Sequence, residues 1–372
     1  MIPCQDFYNF LQRHDIDFFS GVPDSLLKSF CAYVSDHASP SQHIIAANEG
    51  AAVALGIGHH LSTKKIPLIY MQNSGLGNAV NPLLSLADSR VYQIPLLLLI
   101  GWRGEPTIKD EPQHKAQGEV MLDMLSSMNI NYTILSPDFD VSARSLTEVI
   151  AALKQQQSIH ALIVRKNTFS PYVLQNGSSC SLALTREEAV KVLIDQFDEK
   201  CAIIATTGML SRELFECRAV LSQNHCQDFL TVGGMGHASQ IALSVAMHKP
   251  DKSVYCLDGD GAALMHLGSL AIAGQRAGSN FKHILINNGA HQSVGGQPTV
   301  GFDIDFCDLA KSLGYQYVAR ATSHQEIIDA LRAMQGKLGF LEIQVNQSCR
   351  TDLGRPTITP VQSKELFMAF LN

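Results

Sequence analysis

The feature that most constrains the fold is a regular alternation of short apolar runs with amphipathic helical stretches along nearly the whole chain. Candidate strands lie at Ile16–Ser20, His43–Ala47, Pro67–Gln72, Pro95–Gly101, Tyr132–Ser136 and Ala161–Lys166, with helical patterns such as Glu49–Leu61 and Glu119–Met128 between them. Apolar runs of this kind mark strands buried on both faces, and an intervening helix returns the chain for parallel pairing. The pattern breaks over Phe169–Ala183, a stretch with Pro, Asn, Gly and several serines and no periodicity. A helix restarts at Thr185, where Glu188 can close a capping box. Further strand candidates follow at Ala202–Thr206, Asp228–Val232, Ser253–Leu257, His283–Ile286 and Phe340–Val345. The reading is an α/β chain of two doubly wound parallel-sheet domains, 1–170 and 185–372, joined by a linker over 171–184. Ligands of such sheets bind beyond the carboxyl ends of the strands, so the turns there are where chemistry is sought.

Composition removes several classes of function. A net charge of -6 with no basic stripe argues against nucleic-acid binding. The longest apolar run, Ile94–Ile100, falls far short of the roughly 20 residues that cross a bilayer. The N-terminus has no basic segment followed by an apolar one, so a soluble, cytoplasmic protein without membrane partners is expected. Nine cysteines without C-x-x-C pairs signal neither a zinc site nor a disulfide framework.

One motif bears directly on chemistry. Asp258-Gly259-Asp260-Gly261-Ala262-Ala263 follows an apolar strand and opens a helical stretch, and a second strand then ends in Asn287-Asn288-Gly289. Glycines allow close backbone approach to a phosphate, and a helix start directs N–H groups at it. Asp260 offers a carboxylate oxygen, Asn288 an amide oxygen and Ala290 a backbone carbonyl. Oxygen-only ligation completed by phosphate oxygens and water suits Mg²⁺. A dinucleotide fingerprint is absent, because Gly259-Asp260-Gly261 and Gly234-Met235-Gly236 are followed by Leu264 and Ser239 where that motif needs glycine. No phosphate-binding loop of the G-x-x-x-x-G-K-[ST] type occurs either.

GDG followed, after 25 intervening residues, by NN resembles the signature of thiamine-diphosphate-dependent 2-oxoacid decarboxylases. The resemblance implies thiamine diphosphate and Mg²⁺ as cofactors, with the diphosphate in the second domain. It implies that Glu49, after the second strand, bonds the aminopyrimidine ring and so promotes loss of the thiazolium C2 proton. A carboxylate in the first turn of a helix is the alternative reading of Glu49. The loop Gln72–Asn78, with Asn73, Ser74 and Gly75, is similar to the loop packing the pyrimidine. Thr206 and Thr207 correspond to a diphosphate-side loop, as do Gly259, Gly261 and Ala262. Gly233-Gly234-Met235-Gly236 is similar to the segment whose large apolar residue, here Met235, bends the cofactor; Gly234 stands where the family usually has serine. Larger members insert a third, central domain, for which this linker leaves no room. The resemblance also implies a homodimer or higher oligomer, with the two halves of the site meeting at a subunit interface.

Four further strings resemble the phosphonate-handling branch of that family: Gly21–Ser25, Gly101–Pro106, Asp110–His114 and His291–Thr299. The implied reaction converts 3-phosphonopyruvate to phosphonoacetaldehyde and CO₂, in phosphonate biosynthesis. Sulfopyruvate decarboxylation and a non-catalytic cofactor-binding subunit are the alternatives. An anionic substrate needs donors around the phosphonate. Donor candidates are Ser25, Arg103, His291, Ser293, Arg350 and Arg355, with Asp24 as a further substrate-binding residue and His114 as a proton-transfer residue. Arg103 can equally pair with Glu105 or Asp110, and Arg350 and Arg355 can equally belong to a solvated turn.

Overall fold

The computed structural model describes residues 1–176 and 180–372. Two compact units are present: Met1–Gly177 with Ser293–Gln297, and Ser178–Gln292 with Pro298–Asn372. Each is built on one six-stranded sheet. In the first unit the strands are β1 (Phe19–Gly21), β2 (His43–Ile45), β3 (Leu68–Gln72), β4 (Leu96–Gly101), β5 (Asn131–Ile134) and β6 (Ile159–Val164). In the second they are β7 (Ala202–Ala205), β8 (Asp228–Leu230), β9 (Val254–Gly259), β10 (Phe281–Asn287), β11 (Tyr317–Ala321) and β12 (Gly339–Gln344).

All the strand pairs within these two sheets are parallel. The first sheet runs β2-β1-β3-β4-β6-β5 and the second, read from its far edge, β8-β7-β9-β10-β12-β11. Each strand therefore holds the same place in its sheet as its counterpart six strands later. Both sheets carry apolar side chains on both faces. Leu97, Leu99 and Leu162 face one layer of the first unit's core and Leu96, Leu98 and Ile163 the other, and all are fully buried. The strand order reverses between β1 and β3 and again between β7 and β9, which opens a crevice at the carboxyl ends there.

Eleven of the twelve strands fall on the expected apolar runs; β11 does not, because Arg320 interrupts a half-buried edge strand. The helix expected from Glu119 begins at Pro112, since proline suits the first helical turn and the polar residues that follow hide the periodicity. The capping box at Thr185 and Glu188 forms.

The segment read as a linker is largely bound to the units it joins. Phe169 is buried against Phe7 and Phe30, with ring centroids 5.2 and 5.3 Å away. Asp36 accepts hydrogen bonds from the Tyr172 hydroxyl and the Gln175 and Asn176 amides at 2.8–2.9 Å. In the second unit, Asn346 donates to the carbonyls of Leu182 and Ala183, each at 3.1 Å. Residues 177–179, at the centre of that linker, lie outside the described residues.

Candidate active site

The second unit brings the GDG and NN turns together. Strand β9 ends at Gly259, and Asp260 takes the first position of the short helix Asp260–Met265. Strand β10, hydrogen-bonded beside β9, ends at Asn287 and leads into Asn288. The Asp260 carboxylate is 3% exposed and receives the Asn288 and Gly261 amides together with the Thr299 hydroxyl. Burial pushes it up to about 6, against those hydrogen bonds, because its partners are neutral donors rather than a cation. Asn288 is buried and accepts the Ala290 amide at 3.2 Å, which places Ala290 on the same turn. A Cβ on Gly301 would come within 2.7 Å of Asp260 Oδ2 and 2.6 Å of Asn287 Oδ1, so only glycine fits this approach.

Around this centre lie the other residues expected to hold the cofactor. Thr206 and Thr207 follow β7 across the crevice, and the buried Thr206 hydroxyl has no hydrogen-bond partner. Gly234 and Gly236 adopt left-handed φ of 64° and 84°, which a side chain would strain. At Gly236 a Cβ would also lie 3.0 Å from the Ala262 carbonyl. The turn they make carries Met235 over Gly261, where a Cβ would meet Met235 Cε at 3.3 Å and His291 Cε1 at 3.0 Å. His291, with its basicity lowered to about 4 by burial, is neutral at ordinary pH.

In the first unit Glu49 is the first residue of the helix Glu49–Thr63, behind an Asn48 cap whose side chain accepts the Ala51 amide at 2.9 Å. It is 5% exposed, and Asn78 donates to its Oε2 at 2.8 Å. Gly75 packs against the same carboxylate so closely that a Cβ would lie 2.2 Å from Glu49 Oε1. Asn78 lies within the quoted loop after β3, yet its pairing with Glu49 has no local sequence signature.

The expected substrate donors of this unit form one network. Arg103, just past β4, donates through Nη1 to Ser25 at 2.6 Å and through Nε and Nη2 to Asp110 at 2.9 and 2.6 Å. His114 Nδ1 lies 3.0 Å from the same Asp110. Burial would raise the Asp110 carboxyl, but bonds from Arg103, His114 and two backbone amides outweigh it and hold the group well below the usual range. Asn73 is tied to the Arg103 carbonyl at 2.8 Å, and Asp24, raised by burial, lies so near Gly101 that a Cβ there would come within 2.2 Å. Asp110 is thus the hub, and Arg103 pairs with it; Glu105 pairs with Arg165 instead.

The remaining candidates lie apart from these groups or on the surface. Arg350 is engaged by Glu187, Glu216 and Asp352 in an exposed turn, and Arg355 is exposed further along it. Ser74 and Ser293 are exposed, Ser74 accepting from Gln72 at 2.6 Å.

Residues 4–130 match the N-terminal TPP-binding domain of thiamine pyrophosphate enzymes, and residues 206–345 match the C-terminal TPP-binding domain. The chain is 31% identical over 370 residues to a phosphonopyruvate decarboxylase of Streptomyces viridochromogenes, covering 95% of this chain and 90% of that one. A phosphonopyruvate decarboxylase of Streptomyces hygroscopicus is 31% identical over 389 residues, covering 100% and 94%. A sulfopyruvate decarboxylase of Methanosarcina acetivorans is 26% identical over 368 residues, covering 92% and 90%. No helix among the described residues is long and apolar enough to cross a membrane. With both cofactor-binding domains present and relatives alike over nearly their whole length, the chain belongs to the thiamine-diphosphate-dependent decarboxylases, which are carboxy-lyases.

Proposed function

We propose that this enzyme decarboxylates 3-phosphonopyruvate to phosphonoacetaldehyde and CO₂, within phosphonate biosynthesis. The observation that carries the reading is the joined Ser25–Arg103–Asp110–His114 network at the carboxyl ends of the first sheet, which offers a fixed cation and hydroxyl to a dianionic head. The names of the two Streptomyces relatives support it, and the lower identity to the sulfopyruvate decarboxylase makes a sulfonate the second choice.

Mg²⁺ would be held by Asp260, Asn288 and the Ala290 carbonyl. The donor set is all oxygen, and a buried carboxylate supplied only with neutral donors suits a divalent cation. The diphosphate would lie against Thr206, Thr207, Gly259, Gly261 and Ala262, with Met235 beneath the cofactor's bend. The pyrimidine would lie against Asn73, Ser74 and Gly75.

When bound, thiamine diphosphate supplies a nucleophilic carbon and an electron sink for the departing carboxylate. The protein's own part is positioning and proton transfer. Glu49, oriented by Asn78, holds a proton at the pyrimidine edge. Arg103 and Ser25 orient the phosphonate, with Asp24 fixing the turn that carries Ser25. His291 and Ser293 follow the metal turn and complete the donors, and His114 moves a proton to the product carbon. Arg350 is left out because its guanidinium is exposed and shared among three carboxylates, whereas Arg103 is part-buried, has one carboxylate partner and also reaches Ser25. Arg355, exposed further along that turn, is kept as a phosphonate donor.

The active form is a cytoplasmic homo-oligomer of at least two chains. Nine free thiols among the described residues support a reducing compartment. The deciding assay compares kcat/KM for phosphonopyruvate, sulfopyruvate and pyruvate, with and without thiamine diphosphate and Mg²⁺. Phosphonopyruvate should be preferred by at least tenfold, and only with both cofactors present. A preference for sulfopyruvate would reassign the substrate, and cofactor-independent or absent CO₂ release would sink the enzymatic reading.

A further inference from the structure

We propose that Glu342, backed by Arg320, is a positioning residue for the metal-binding turn, acting through Asn287. The inference rests on the reading of Asp260 and Asn288 as metal ligands, and it assigns a role to the first asparagine of the NN pair, which that reading leaves without one.

The rung crosses three neighbouring strands of the second sheet. Arg320 on β11 stands directly opposite Glu342 on β12, and Glu342 stands opposite Leu285 on β10. Asn287, two residues beyond Leu285, shares its face and is the diagonal neighbour of Glu342. Arg320 Nε donates to Glu342 Oε2 at 2.7 Å, and its Nη2 donates to Asp305 at 3.0 Å at the exposed edge. Glu342 Oε1 accepts Asn287 Nδ2 at 2.8 Å and Gln344 Nε2 at 3.2 Å. Both Glu342 and Asn287 are fully buried. A carboxylate so placed is tolerated only when donors meet its oxygens, and here each oxygen is met.

An ionised carboxylate can only accept, so it dictates which way the Asn287 amide faces. The nitrogen must point at Glu342, where it also reaches the Gly301 carbonyl at 2.6 Å. The oxygen then faces the Gly289 amide, which it accepts at 3.1 Å. A reversed amide would set oxygen against two acceptors and N–H against N–H. In the observed orientation one carboxamide holds both limbs of the loop: residues 287–290, which carry Asn288, and residues 299–301, which carry the Thr299 hydroxyl to Asp260. The Thr299 amide closes the frame on the Gly289 carbonyl at 2.9 Å.

Glu342→Gln keeps the volume but replaces one acceptor oxygen with a donor, so it must face a donor at one of its contacts. Outer supports of metal ligands typically govern affinity by 10- to 100-fold. The test is a calorimetric titration of Mg²⁺ into the full-length, metal-free protein saturated with thiamine diphosphate. Glu342→Gln should raise the Mg²⁺ Kd about 10- to 100-fold, with kcat recovered at saturating Mg²⁺. Arg320→Gln, at the exposed edge, should fold normally and raise Kd by a smaller factor in the same direction. Asp260→Ala should abolish the Mg²⁺ signal. If Asp260→Ala binds Mg²⁺ as the wild type does, the ligand reading fails and this proposal fails with it. If Asp260→Ala loses the metal while Glu342→Gln keeps a wild-type Kd, the positioning role alone is overturned, even where the melting temperature falls. Should Glu342→Gln not fold, an unchanged Kd in Arg320→Gln overturns the role by itself.

Discussion

The Thr299 hydroxyl donates to the Asp260 carboxylate while accepting the Gly301 amide at 3.0 Å, so one side chain links the loop after β10 to the helix after β9. Thr299→Val removes the donor and keeps the shape. It should weaken Mg²⁺ binding by roughly three- to tenfold, the order of one hydrogen bond to a charged group. Mg²⁺ titration of the variant beside wild type checks this, and an unchanged Kd would show the link to be incidental.

The raised Asp260 carboxyl makes the metal-free protein pH-sensitive. Its folded value of about 6 lies above the ordinary 3.8, so its contribution to stability is complete below about pH 4 and lost as pH rises through 6. Two units correspond to about 3 kcal/mol at most. Asp260→Asn should therefore melt higher than wild type in chelator at pH 8, with the difference vanishing near pH 4. Mg²⁺ affinity of the wild type should fall about tenfold per unit below pH 6, where a proton competes with the metal. Melting curves that run parallel across this range would contradict the assignment.

Gly75→Ala tests how tightly Glu49 is placed. The added methyl meets the Glu49 side chain from Cγ to Oε1 and turns the buried carboxylate away from Asn78, so the fold should lose about 1–3 kcal/mol. Turnover should drop about 100-fold with thiamine diphosphate affinity within a few-fold of wild type. Wild-type turnover would mean that the position of Glu49 is not critical.

Arg103→Lys retains the charge and loses the fork that grips Asp110 and Ser25. We expect kcat/KM for phosphonopyruvate to fall about 10- to 100-fold, mostly through KM, and that for pyruvate to change little. Equal losses on both substrates would point to a collapsed loop rather than a lost phosphonate contact.

Away from the site, Arg218 and Asp228 form a buried pair, with Nη2 to Oδ1 at 2.9 Å. Arg218→Met removes the group that holds the Asp228 carboxyl down against burial, so the carboxyl takes up a proton and stays unpartnered in the core. It should cost about 1–3 kcal/mol in denaturant unfolding while sparing the kcat of molecules that remain folded. A stability equal to wild type would mean that the pair adds nothing to the fold.

The sheets were legible because buried parallel strands must be apolar, and runs such as Leu96–Ile100 and Ala202–Ala205 announce themselves. The metal turns were legible because their residues are close in sequence and chemically unusual. What could not be read was partnership across strands. Nothing local ties Glu342 to Asn287 or Arg320, since only sheet order brings them together. Strand β11 escaped for the same reason, its arginine being explained by a carboxylate 22 residues away. Asp110 was visible as a possible partner of Arg103, but its role as hub depended on the turn before the helix at Pro112.

The bonds that Asp36 makes to Tyr172, Gln175 and Asn176, and those that Asn346 makes to Leu182 and Ala183, fasten each end of the connecting segment to its own unit. Each half thus carries its own closing strap. Two co-expressed polypeptides divided between the straps would each keep the whole six-stranded sheet that their half of the chemistry requires.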